Sequence, residues 1–406
     1  MKKLFIYLLP LMAVACDTEV EKIQTPTDAK PIVLKENLQK RIGQDNQFAF
    51  ELLRQTIAAN KTENATVSPL SVSLALGMTL NGAVGETKTE MEKALHLSGL
   101  TTSEMNEYYK VLQSTLPGID PLTKVGIANS IWYDKDFQVK SAFLQTNVTY
   151  FNAYTKALDF KASWAKDTIN NWSSLKTNKL IPSIVDEIPP EAVMYLVNAV
   201  YFKGVWRLKF DKKLTHRDTF YGSKNNTTAN FMKQQNKFHY FADETAQYVD
   251  LEYGNKAFSM TAILPNEGKT TDDVLRNLNT NKWENIIKAF ASKDLLLYFP
   301  RFKSENKFAL NQPLITMGMP LAFTDLADFS NIANARLFIS KVMHKTYIAV
   351  DEEGTEAAAV TSVEVGVTSI PMTHELKFNK PFVYVIREKS TGIILFVGKI
   401  STIDLY

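Results

Sequence analysis

Cysteine is all but missing from this chain: there is one in 406 residues, at position 16. No intrachain disulfide can form, and no cluster of thiolates can hold a zinc ion. A surplus of one charge is missing as well. The 46 Lys and Arg against 43 Asp and Glu leave a formal net charge of +3, too little for a nucleic-acid footprint. Histidine is scarce. His96, His216, His239, His344 and His374 are the only five, and none sits in HExxH or a similar ligand spacing. There is no GxSxG elbow, no Walker loop and no GxGxxG. No catalytic, nucleotide, cofactor or metal site therefore declares itself, and each lone His reads as structural or solvated. With 45% hydrophobic and 11% aromatic residues, the composition excludes a disordered chain.

The N-terminus is distinctive. Lys2 and Lys3 precede an apolar run over residues 4–15, too short to cross a bilayer and right for a secretory signal. Val14 and Ala15 before Cys16 resemble the lipobox of bacterial lipoproteins, although Ala13 stands where Leu is usual. The resemblance implies a signal peptide over 1–15 and a lipidated Cys16 as the first mature residue. An ordinary signal peptide with an incidental Cys is the plainer alternative. The next stretch, "DTEVEKIQTPTDAKPIVLKENLQKR", is polar and carries two prolines, so residues 16–43 read as a flexible tether. Asp17, Glu19 and Glu21 are similar to surface-export signals of Bacteroidetes lipoproteins. The expected location is the cell envelope, at the outer membrane, facing the surface or the periplasm.

Beyond the tether, "NQFAFELLRQTIAAN" puts Phe48, Leu52 and Ile57 near one helical face. Ser68 before Pro69 is a helix start, a hydroxyl N-cap followed by proline in the first turn. Strand candidates dominate later: "VGIANSIWY", "MYLVNAVYF", "YVDLEY", "SMTAILP", "LLLYFPRFK", "KTYIAV", "FVYVIRE" and "IILFVGKI". Helices and strands come in uneven blocks, so the expectation is one large α+β domain over 44–406 with mostly antiparallel strands and more than one sheet. The basic stretch "FKGVWRLKFDKK" reads as a solvated strand end rather than a polyanion patch.

"GTEAAAVTSVEVGVTSIPM", from Gly354 to Met372, has no aromatic residue, no Lys or Arg and no turn signal before Pro371. With period two, one parity carries Thr355, Ala357, Ala359, Thr361, Val363, Val365 and Val367, all small or β-branched. The other carries Glu356, Ala358, Val360, Ser362, Glu364, Gly366 and Thr368, with both charges. This is an amphipathic strand pattern, yet its first half would bury little area. Small residues suit sliding into a crowded sheet, and Gly354 supplies a flexible joint. The pattern fits equally a permanent strand and a loop that becomes one.

"VDEEGTEAAAVTS" resembles the hinge of serpins, the serine protease inhibitor family. "SPLSVSLALGM", "NGAVGET", "LVNAVYFKGVW", "SKVMHKTYIAVDEEGTEAAA", "KFNKPFVYVI" and "TGIILFVGKI" match further serpin landmarks in serpin order, over residues 44 to 405. Two departures stand out. Asn178 occupies a position where Gly is common, and the segment after Pro371 is about two residues longer than in many members. The resemblance implies three β-sheets, eight or nine helices and an exposed reactive-centre loop over about 354–374. It implies a suicide substrate rather than an enzyme: a serine protease acylates itself on the loop and is trapped as the loop enters the main sheet. The implied hinge is Glu353, Gly354, Thr355, Glu356, Ala357, Ala358, Ala359 and Thr361. The implied reactive bond is Thr368–Ser369, with Val365–Gly366 and Val367–Thr368 as secondary cuts. The implied shutter under the sheet is Ser68, Ser71, Asn198 and His344, Ser68 being equally a plain N-cap.

A β-branched residue before the cut points to elastase-like or subtilisin-like serine proteases as partners; some cysteine proteases also fit. The chain is expected to act as a monomer, without metal or cofactor. "LTTSEMNEYYKVLQST" has one Lys where heparin-activated members are basic, so no glycosaminoglycan activation is expected. The competing reading is a non-inhibitory serpin, a binding protein or chaperone. Ala357, Ala358 and Ala359 favour inhibition, since non-inhibitory members tend to carry proline, charge or bulk there.

Overall fold

The computed structural model of the protein describes residues 28–97, 99–355 and 374–405. Its central helix, Pro69–Leu80, shows how sequence becomes architecture. The Ser68 hydroxyl accepts the Ser71 N–H at 3.4 Å, and Pro69 occupies the first turn, where its missing N–H costs nothing. Every residue of the helix except Ala75 is buried, so it is apolar all round rather than along a stripe. Helix Glu36–Asn60 packs beside it, with Phe48 and Leu52 fully buried and Ile57 packed against the core.

Two hydrogen-bonded sheets enclose this core. One has six strands in the order Phe302–Ala309, Met343–Val350, Gly354–Thr355, Met194–Val205, Thr123–Asp134 and Tyr154–Leu158. All its neighbours are antiparallel except the last pair. Because Gly354–Thr355 is antiparallel to both flanking strands, Met343–Val350 and Met194–Val205 run parallel to each other.

The other sheet has nine strands and hinges on one long strand, Asn226–Ala242. Its first part pairs with His216–Tyr221, its middle with Ala291–Pro300 and its end with Ala246–Glu252. From there the sheet continues through Phe258–Pro265, Phe382–Glu388 and Ile394–Ile400 to Ala65–Val67. His374–Lys377 lies parallel to Ala291–Pro300 at the far edge. The expected α+β architecture is present, its second and third sheets joined through Asn226–Ala242. Nine α-helices lie among the described residues.

The main core lies behind the six-stranded sheet. A second, much smaller cluster lies on its other face, where Ile169 and Trp172 of helix Ala165–Lys176 meet Trp132, Leu158, Ile184, Val185 and Val197. Adjacent residues divide between the two: Ile131 faces the main core and Trp132 the small one, as strand alternation requires.

Two expectations are corrected. "LLLYFPRFK" is not one strand: the chain leaves one sheet at Pro300 and enters the other at Phe302, and Arg301 sits at the crossing. The tether does not extend to residue 43. Helix Glu36–Asn60 begins inside it, and Ile32, Leu38 and Ile42 are buried. Those apolar residues, spaced among the charges, find core partners that composition alone did not reveal. Asn178, one of the departures, has φ 51°, the left-handed region that Asn tolerates better than other side-chain-bearing residues.

Candidate functional site: the hinge and shutter of the six-stranded sheet

The seam between Met343–Val350 and Met194–Val205 is closed at one end by a tight turn, Asp351–Gly354. The Asp351 N–H donates to the Gly354 carbonyl at 2.9 Å. The Asp351 carboxylate accepts the N–H groups of Glu353 at 2.8 Å and Gly354 at 3.2 Å, an Asx-type turn. Burial raises the Asp351 carboxyl above its usual range, and those two amide bonds oppose the shift.

Gly354 pairs with Val205, and Thr355 pairs with both Gly204 and Val350. A Cβ on Gly354 would stand 1.9 Å from the Gly204 carbonyl oxygen, with φ at +152°, so no other residue fits without moving the backbone. Gly204 is similarly constrained, since its own Cβ would meet the Tyr253 ring at 2.7 Å. Thr355 is fully buried, its hydroxyl 2.6 Å from that of Tyr253.

Side chains from distant strands clamp the turn. Trp206 donates its backbone N–H to the Glu353 carbonyl and its indole N–H to the Asp351 carbonyl, both at 2.8 Å. Its ring stacks on Tyr253 with centroids 4.4 Å apart. Glu352 is only 1% exposed. It accepts Nε and Nη2 of Arg301 at 2.9 and 2.6 Å, and the Thr215 hydroxyl. Glu353 pairs with Lys209 at 2.8 Å and Lys212 at 3.1 Å. Burial pushes the Glu353 carboxyl up, but the two ammonium groups outweigh it and hold it below its usual range. The basic stretch is therefore not simply a solvated strand end: Lys209 and Lys212 hold the hinge.

Further down the seam lie the residues assigned to the shutter. Thr355 faces Gly204 on one side and Val350 on the other. Counting six residues along each flanking strand (204 − 6 = 198; 350 − 6 = 344) reaches Asn198 and His344, at one level across the seam. The Ser68 backbone N–H donates to His344 Nε2 at 2.9 Å. His344 is buried, and burial lowers its pKa to about 4. It is thus neutral, with its proton on Nδ1. Asn198 donates to Asn129 Oδ1 at 2.6 Å, while its own Oδ1 is buried without a partner. Ser68 both caps the central helix and presents its amide to His344, and Ser71 enters through the cap.

Sequence reasoning missed Gly204, Trp206, Tyr253, Thr215 and Arg301 as parts of this site. Glu356, Ala357, Ala358, Ala359, Thr361, Val365, Gly366, Val367, Thr368 and Ser369 lie outside the described residues, as does Cys16.

Comparison with known proteins agrees with this architecture. Residues 43–403 match the family model described as serpin (serine protease inhibitor); the chain belongs to the serpin family. An uncharacterized serpin-like protein of Thermococcus kodakarensis is 32% identical over 375 residues, 90% of this chain and 87% of the relative. Among solved structures, the thermophilic serpin tengpin in its native state superposes with a TM-score of 0.84 at 36% identity, covering 93% of this chain and 97% of tengpin. Human thyroxine-binding globulin complexed with thyroxine superposes with a TM-score of 0.82 at 26% identity, covering 90% of this chain and 99% of the globulin.

Proposed function

We propose that this protein is an inhibitory serpin, a suicide substrate for elastase-like or subtilisin-like serine endopeptidases. The observation that carries this reading is the seam. Two parallel strands are separated at one end by two residues that run antiparallel to both, the register a longer strand needs to pair on both edges. If the loop inserted in that register, Ala357 would come between Phe202 and Ile348, Ala359 between Val200 and Thr346, and Thr361 between Asn198 and His344. All six flanking residues are buried, so only small side chains fit, and Ala, Ala and Thr are small. On the other parity, Glu356 would then come beside Lys203, on the face away from the main core.

The chemistry begins on the protease. Its serine attacks the Thr368 carbonyl, the Thr368–Ser369 bond breaks, and the Ser369 amine leaves with the proton taken from the serine. The acyl ester stays on Thr368. The freed N-terminal half of the loop enters the seam, and the protease is carried with it before water can complete hydrolysis. No substrate turns over, so the protein is not an enzyme. The second reading is a non-inhibitory carrier or chaperone, for which the likeness to thyroxine-binding globulin is the specific observation. The alanines at 357–359 weigh against it. For location, the proposal is a lipoprotein of the cell envelope held by Cys16.

Mixing the chain lacking residues 1–16 with pancreatic elastase tests the reading on a denaturing gel. The expected result is an SDS-stable band and a released peptide that mass spectrometry reads as Ser369–Tyr406. Clean cleavage at this bond, with no covalent band and no rise in the melting temperature of the cleaved form, would overturn inhibition in favour of the carrier reading.

A further inference from the structure

The hinge is also reached from the N-terminal end of the chain, by residues 28–34 ahead of the first helix. The Asp28 carboxylate is shared between Arg207 Nη2 at 3.3 Å and Lys256 Nζ at 3.0 Å. The Ala29 N–H donates to the Asn255 carbonyl at 2.9 Å, and the Ile32 N–H to Ser390 Oγ at 2.9 Å. The Ile32 side chain is buried, and Leu34 packs against the main core. This segment is a strap, pinned at several points along its length.

The groups it grips lie next to those that hold the hinge. Arg207 follows Trp206, and its guanidinium donates to the Gly254 carbonyl at 3.0 Å. Lys256 closes the same turn, Tyr253–Lys256, by donating its N–H to the Tyr253 carbonyl at 2.7 Å. At the start of that turn, the Tyr253 ring stacks on Trp206 and its hydroxyl holds Thr355. Asp28 therefore bridges the Trp206 side of the clamp to the Tyr253 side. Without its carboxylate the two cations share an edge with no Asp28 between them.

We propose that residues 28–34 hold the hinge in its two-residue paired state, so that releasing them speeds entry of the loop into the sheet. The proposal rests on the inhibitory reading above. An exposed carboxylate contributes little alone, so the sharpest probe is a charge reversal, Asp28→Lys, which sets three cations together. Ser390→Ala is a second, milder release, since it removes the acceptor of the Ile32 N–H.

The experiment incubates the uncleaved protein at a fixed temperature below its unfolding transition. It follows conversion to a form that no longer inhibits and resists heat. Conversion of Asp28→Lys about fivefold faster than wild type, with Ser390→Ala between the two, is the expected result. Wild-type conversion rates in both variants, in a protein whose loop-cleaved form does gain heat stability, would overturn the strap and leave the inhibitory reading standing. If the cleaved wild-type protein gains no heat stability, loop insertion itself fails and the strap falls with it.

Discussion

The two ends of one seam are built differently. At the hinge, nearly every polar group is paired, and the pairs are charged: Glu352 with Arg301, Glu353 with Lys209 and Lys212. A stacked Trp206–Tyr253 pair and a glycine contact close that end. Six residues further down, the groups are neutral and only partly satisfied. His344 is held uncharged by burial, with Nε2 on the Ser68 amide, and the Asn198 oxygen has no partner. A buried unpaired oxygen costs about 1–3 kcal/mol. The hinge thus holds the seam shut at its entrance, while the shutter keeps an unpaid polar atom on the path a third strand would take. That asymmetry suits a sheet that opens from the hinge downward.

The largest effect should come from blocking the path between the two regions. If the loop inserts in the proposed register, Ala359 would come between Val200 and Thr346, both buried. Ala359→Arg would put an unpaired charge on the core face, at a cost of several kcal/mol. Elastase should then cleave the variant as a plain substrate, with the SDS-stable complex lost and the resting stability unchanged. Inhibition with unaltered stoichiometry would show that the alternate parity faces inward.

A smaller effect should follow from weakening the hinge. Arg301→Met leaves Glu352, 1% exposed, with the Thr215 hydroxyl but no counterion. Breaking a buried pair from one side costs about 3 kcal/mol, discounted here because Arg301 itself is partly exposed. Thermal unfolding should show a lower melting temperature for the uncleaved form and a nearly unchanged one for the cleaved form. An equal loss in both forms would mean that the pair is ordinary scaffolding rather than part of the seam's closure.

Asn198 and His344 were reached only through the family resemblance, but part of this site was legible in sequence because its signals are local. Gly354 at the joint and Ser68 before Pro69 each carry their meaning within a few residues. The fold class followed from the strand blocks in the same way. The clamp was not legible, because its partners are far apart: Arg301 and Glu352 by 51 residues, Tyr253 and Thr355 by 102, Trp206 and Asp351 by 145. No pattern in a single chain marks such pairs. Lys209 and Lys212 were misjudged for a related reason. A cation beside a strand end reads as solvated unless the carboxylate that folds onto it is known, and Glu353 lies more than 140 residues away (353 − 209 = 144; 353 − 212 = 141). The N-terminal strap was hidden by its composition, since Pro26, Pro31 and the surrounding charges describe a linker until Ile32 is seen buried.

The shutter makes a pH prediction that the Glu353 pairs of the hinge do not share at mild acidity. His344 has a folded pKa of about 4 against an ordinary value of about 6.5. Between these values the unfolded chain binds a proton that the folded chain refuses. Folding stability therefore rises with pH across this window: the contribution is fully present above about 6.5 and is lost as pH falls through about 4. By pH 5.5 the loss is about 1 kcal/mol, at 1.36 kcal/mol per unit of pKa difference. Protonation of the folded chain, near pH 4, would also take away the acceptor that Ser68 uses, so the central helix should loosen from the seam there. Glu353, whose carboxyl is held below its usual range by two lysines, is charged at pH 5.5, and its pairs with Lys209 and Lys212 should persist there. His344→Gln should flatten the slope of stability against pH between about 4 and 6.5. Measured by urea unfolding at a series of pH values, an unchanged slope in this variant would place the acid-sensitive group elsewhere. The contrast between a neutral middle and a charged entrance would then have to be redrawn.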